Sequence, residues 1–151
     1  MANIIPFSFR GALFSFRGAL FSGQHDLASG GNTFKLSLYT ANPYTTASTV
    51  YDATSEVSTA GGSNYSVKTL ANQAVASATA VASVDFDNVT WTSATFTAVG
   101  AAIYNNSTVD GLADRLVVVL DFGGAKTATN GDFTIAFPDA ATPANAIISM
   151  S

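Results

Sequence analysis

Apolar and polar residues alternate with a period of two along most of this chain, and that period predicts strands. Thr33 to Tyr39 places Phe34, Leu36 and Leu38 on one face and Lys35, Ser37 and Tyr39 on the other, the pattern of a half-buried strand. Val50-Tyr51 and Glu56-Val57 read as short strands. Gln73 to Ser77 and Thr79 to Phe86 read as longer ones, with Ala80, Ala82, Val84 and Phe86 to one side. Val89 to Trp91 follows a break at Asp87-Asn88. Ala94 to Val99 alternates again, and Ala101 to Tyr104 extends it past Gly100, a position that suits a bulge or a close approach. Leu116 to Phe122 is an almost unbroken apolar run, expected of a strand buried on both faces and ended by Gly123-Gly124. Asn130-Gly131 reads as a hairpin turn into Asp132 to Phe137, which Pro138 closes, and Ala146 to Met150 is a last strand. The connections at 40–49, 60–64 and 105–112 are rich in Asn, Gly, Ser and Thr. About eight short, evenly spaced strands predict an all-β domain, a single β-sandwich or jelly roll over residues 24–151.

Residues 1–23 break the pattern. Phe7 to Leu13 recurs letter for letter as Phe14 to Leu20, and Phe21-Ser22-Gly23 begins a third copy. Seven residues are close to two helical turns, so a helix would align Phe9, Leu13, Phe16 and Leu20 in one stripe and stop at Gly23. Gly11 and Gly18 each oppose a helix by about 1 kcal/mol, and the Phe-Ser-Phe triplets also suit an extended strand, so the arm is read as helical or extended. The repeat is either a duplication that the fold tolerates or a lengthened apolar arm that docks on a neighbouring subunit. Five phenylalanines in fifteen residues are costly to leave in water. Arg10, Arg17, three serines and no acid give residues 1–25 a loose likeness to a transit peptide, while the retained Met1 reads against processing.

Composition narrows the function classes. Charged residues are 11% of the 151, less than half the usual share, and small neutral residues replace them. Such a surface suits close contact with neighbours, since little charge is desolvated there. The net charge is −4 and the six cations are scattered, so no basic footprint for nucleic acid forms. No apolar run reaches the 18 or so residues that span a bilayer. With no cysteine, disulfides and thiolate metal sites are excluded.

Little in the chain points to catalysis. His25 is the one histidine, beside Asp26 at a polar junction, and is expected to be a capping or surface residue rather than a general base. No Gly-x-Ser-x-Gly elbow and no phosphate-binding Gly-rich loop is present. Asp85 and Asp87 with Asn88, and Asp110 and Asp114 with Asn106, offer oxygen ligands for calcium, but neither matches a defined loop and turn formation explains both. Tyr39, Tyr44, Tyr51, Tyr65 and Tyr104 are expected on the surface, where tyrosine suits either protein interfaces or sugar rings. Trp91 reads as core. The expectation is a binding protein, not an enzyme, with no cofactor and no metal.

Several segments carry a family resemblance. His25 to Thr40, Tyr51 to Val57, Val84 to Asn105 and Leu116 to Ser149 resemble a small protein encoded among the structural genes of tailed bacteriophages. The likeness is strongest at Ala101 to Asn105, Val118 to Gly123 and Asn145 to Ile148. The doubled heptad departs from that pattern, in which a single copy is expected. The resemblance implies a virion component without catalytic residues. The first expectation is a capsid decoration or cement protein, a homotrimer or other homo-oligomer bound to the major capsid protein or other virion proteins after assembly in the host bacterial cytoplasm. The alternative is a structural or carbohydrate-binding module of tail, neck or fibre. The expected contact residues are Phe7, Phe9, Leu13, Phe14, Phe16, Leu20 and Phe21 of the arm, with Tyr39, Tyr44 and Tyr51.

Overall fold

The computed structural model describes residues 23–45, 47–78, 81–109, 111–138, 146 and 148–150. The N-terminal arm, its boundary with the domain and the contact residues assigned to it therefore lie outside the described residues. Within them every element is a β-strand: β1 Phe34–Tyr39, β2 Lys68–Thr69, β3 Ala74–Ala78, β4 Val81–Asp85, β5 Val89–Asn105, β6 Arg115–Ile135 and β7 Ile148–Met150. All pairings are antiparallel. One sheet has the order β2-β1-β5-β6, and the other the order β3-β4-β7. The fold is all-β and sandwich-like, as the period-two pattern predicts.

The core is built from the predicted inward faces. Phe34, Leu36 and Leu38 of β1 are fully buried and meet Trp91, Phe96 and Ile103 of β5, with Val84 and Ile148 contributed by the smaller sheet. Aromatic rings tile its centre. Tyr65 stacks on Trp91 at 6.0 Å between centroids, and Phe96 and Phe133 meet the indole edge-on. The indole N–H donates to Ser66 C=O at 2.8 Å, so its polar edge is satisfied inside.

β5 and β6 differ from the sequence reading in a way that shapes the whole domain. Val89 to Trp91, Ala94 to Val99 and Ala101 to Tyr104 are one strand of 17 residues, and its partner β6 runs for 21. The predicted stops are bulges. Asn130 lies between Thr129, which pairs with Thr95, and Gly131, which pairs with Ala94, so it is an extra residue in the ladder. It holds a left-handed φ of 48°, and its N–H donates to the Thr95 hydroxyl. The tolerance of Asn for that conformation, the source of the hairpin signal, serves a bulge here instead. Gly123-Gly124 also fails to end the strand. It forms the bend between Asp121, paired with Gly100, and Lys126, paired with Ala98. Bulges of this kind kink a long ribbon and let it wrap a core rather than run flat.

Burial departs from expectation in both directions. β1 is buried on both faces, because Ser37 and Tyr39 are covered as fully as the core side. The run Leu116 to Phe122 is only partly buried, with Val117 and Val118 inside and Asp121 exposed, because β6 is the outer strand of its sheet. Val50 and Glu56 make single bridges, to Arg115 and Tyr39, rather than strands. The short strand β2 carries no alternation that would reveal it in the sequence.

Candidate functional site

The second buried face of β1 and β5 is made by residues 40–57, which fold back over the larger sheet. Tyr39 donates its hydroxyl to Leu120 C=O across the sheet at 2.8 Å. Gly100 lies under this phenol, since a Cβ there would collide with the Tyr39 ring and hydroxyl and with Leu120 O. Tyr51 stacks on Tyr104 with centroids 4.3 Å apart and planes within 16°. The backbone ties the same loop down: Tyr51 N–H donates to Asp114 C=O at 2.7 Å, and Leu116 N–H to Thr49 C=O at 3.0 Å.

Glu56, the chain's one glutamate, is the hub of this layer. Its carboxylate accepts hydrogen bonds from the hydroxyls of Tyr51 and Tyr65. The Tyr65 oxygen in turn accepts from Leu38 N–H at 3.0 Å, which links the outer layer to the core. Burial raises the Glu56 carboxyl, opposed by the Tyr65 hydrogen bond. Burial likewise raises the phenols of Tyr39, Tyr44 and Tyr65, and pushes Tyr104 up to about 12. These phenols stay protonated at neutral pH and act as donors and packing surfaces, not as bases or nucleophiles. Replacing Tyr65 by Phe strands the Leu38 amide in the core. The expected loss is about 1–3 kcal/mol of unfolding free energy with an unchanged denaturant slope, measured by urea titration.

The tyrosines are thus placed differently from the sequence reading. Tyr39, Tyr65 and Tyr104 are buried, and Tyr44 and Tyr51 are half-buried, because the loop pulls them onto the sheet. Trp91 is core, as expected. His25 is also buried rather than on the surface. Its ring lies against Phe34, and its Nδ1 is 3.1 Å from the Asn105 side-chain nitrogen. The candidate calcium ligands are occupied within the fold: Asp87 accepts from Asn72, Asn88 from Phe137 N–H, and Asp114 from Asn106. Asp110 lies outside the described residues. Among the described residues no three His, Cys, Asp or Glu side chains converge on a metal position, and no helix is long and apolar enough to cross a membrane.

No family model, curated protein or solved structure matches this chain.

The surface that this geometry does present is the outer face of the β5–β6 ribbon. Thr90 pairs with Thr134, Thr95 with Thr129 and Thr97 with Thr127. The hydroxyls of the first and last pairs are hydrogen-bonded across the strands at 2.8 Å. Apart from the partly covered Thr90, these side chains are exposed. Two of the pairs satisfy part of their own hydrogen-bonding need, Thr95 accepts from Asn130 N–H, and none of the three pairs carries charge, so contact of these side chains with another protein desolvates little. The sequence reading missed this face. The threonines are visible in the sequence, but their pairing depends on a register set by the two shifts between Trp91 and Thr95.

Proposed function

We propose that this domain is a structural protein of a virus particle, a cement protein that decorates the capsid and bridges its subunits. The observation that carries the proposal is the row of cross-strand threonine pairs on the outer face of the long ribbon. A lone globule normally intersperses charges over its surface, whereas the threonine pairs are themselves neutral and suited to close packing, with Lys126 and Asp132 the exposed charges beside them on β6. Three further features agree with it: the low charge content, the apolar repeat at residues 7–21, and the resemblance of several segments to small tailed-phage structural proteins. Tyr39, Tyr65, Tyr104 and Trp91, which sugar binding would need at the surface, are buried instead, and Tyr44 and Tyr51 are half-buried. The mechanism is thermodynamic. A protein that binds only the assembled shell stabilises that shell by mass action, about 2.7 kcal/mol at a free concentration one hundred times Kd.

The test is to add the purified protein to undecorated phage shells and follow binding and heat resistance. Saturable binding near the shell's subunit count, with raised heat resistance, is the expected result. Introducing charge by Thr97→Lys with Thr129→Lys should weaken binding at least tenfold. These positions are exposed and one cross-strand hydrogen bond is lost, so folding stability should fall by about 1–2 kcal/mol and leave the domain folded. No binding, or binding confined to isolated tails, would overturn the proposal.

A further inference from the structure

The segment from Gln24 to Thr33 straps across the end of β5 and is fastened by one buried amide. Asn105, 1% exposed, points its side-chain nitrogen at Gln24 C=O (3.1 Å), His25 Nδ1 (3.1 Å) and the Asn32 side-chain oxygen (2.9 Å). Its own side-chain oxygen accepts from Ser107 N–H at 3.0 Å. That contact fixes which end of the amide is the NH2. The NH2 shares its two hydrogens among these three acceptors and offers no acceptor to a proton on His25 Nδ1, which favours a neutral imidazole with Nδ1 unprotonated. A proton on Nδ1 would set donor against donor at a buried position.

The surroundings act in the same direction. Phe34 covers the ring, and the guanidinium of Arg115 at the start of β6 disfavours a second positive charge. Asp26, in the strap, turns its carboxylate to Ala28 N–H, and Asp114 turns its own to Asn106. Burial first, then Arg115, pulls the His25 pKa from 6.5 down to about 4. At its far end the strap is anchored independently. Thr33 N–H donates to the Ser107 hydroxyl, and Thr33 C=O accepts from Asn106 N–H. Between the two ends Leu27 is buried in the core, the Gln73 side-chain nitrogen faces Asp26 C=O and Ala28 C=O, and the other ties are local turns, so opening also withdraws Leu27 from the core.

We propose that this strap is an acid-operated latch, in which protonation of His25 breaks its hydrogen bond to Asn105 and frees residues 24–32 to swing about Thr33 while both sheets stay folded. Opening takes up one proton. The opening constant therefore rises about tenfold per unit of pH between about 6 and 4, and levels off below.

Hydrogen exchange on the full-length chain, corrected for the intrinsic pH dependence of exchange, tests this. Amides of residues 24–32 should gain exposure about tenfold per unit as the pH falls from 6 to 4, while those of β1 and β5 remain protected. His25→Gln should show no such slope. The imidazole resonances give a second reading on the unaltered protein, and the folded form should titrate near 4. If the strap opens only together with β5, if His25→Gln keeps the slope, or if His25 in the folded protein titrates near 6.5, the latch is wrong.

Discussion

Truncating Trp91 to alanine should remove about 3–5 kcal/mol of unfolding free energy, the upper range for a buried aromatic. The indole is 1% exposed and is the ring on which Tyr65, Phe96 and Phe133 converge. Three neighbours cannot close the void together, because each is held from a different direction. Tyr65 is pinned by its hydrogen bonds to Glu56 and Leu38, Phe133 by the β6 ladder, and Phe96 by β5. Losing the indole also leaves Ser66 C=O without its donor. Phenylalanine at 91 keeps most of the volume and should cost visibly less. Urea or thermal unfolding measures both, and an alanine variant within 1 kcal/mol of the parent would show that the aromatic cluster is not the centre of the core.

Gly100→Ala should be the second large loss, about 2–3 kcal/mol, through overpacking rather than a cavity. The added methyl would meet the Tyr39 phenol and the carbonyl of Leu120. Neither can give way easily. Tyr39 is buried and bonded to that same carbonyl, and Leu120 is paired with Ala101 inside the sheet. Removing the hydroxyl with Tyr39→Phe should restore only part of the loss, because the backbone oxygen stays in place. A double variant as stable as Tyr39→Phe alone would show that the sheet moves to accept the methyl. Comparing unfolding free energies of the two single variants and the double variant decides between these.

The strands themselves were legible in the residues. Phe34, Leu36 and Leu38 announce β1, and Val89 to Tyr104 announces β5, because a period of two follows from backbone geometry alone. The punctuation was not legible. Asn130-Gly131 and Gly123-Gly124 supply left-handed conformations, and the chain can spend that freedom on a turn or on a bulge. Only the partner strand decides which, and no local pattern contains it. Burial of the second face was hidden for a similar reason. Tyr39 and Tyr104 look like surface residues until Tyr44 and Tyr51 arrive from a loop with no periodicity of its own. Glu56 and Asn105 do not stand out in the sequence, because a lone glutamate or a turn asparagine carries no signal. Their roles come from partners distant in sequence.

The place of β1 in the larger sheet has a consequence for biosynthesis. Phe34 pairs with Asn105 and Tyr39 with Gly100, so β1 must wait for a partner made about seventy residues later. At translation rates of about 5–20 residues per second that is roughly 4–14 s, during which β1 has as strand partners only the two residues of β2 and the single bridge from Glu56 to Tyr39. Lys35 is its single charge. On the ribosome, this short greasy stretch stays without its main partner long enough to gain from a chaperone.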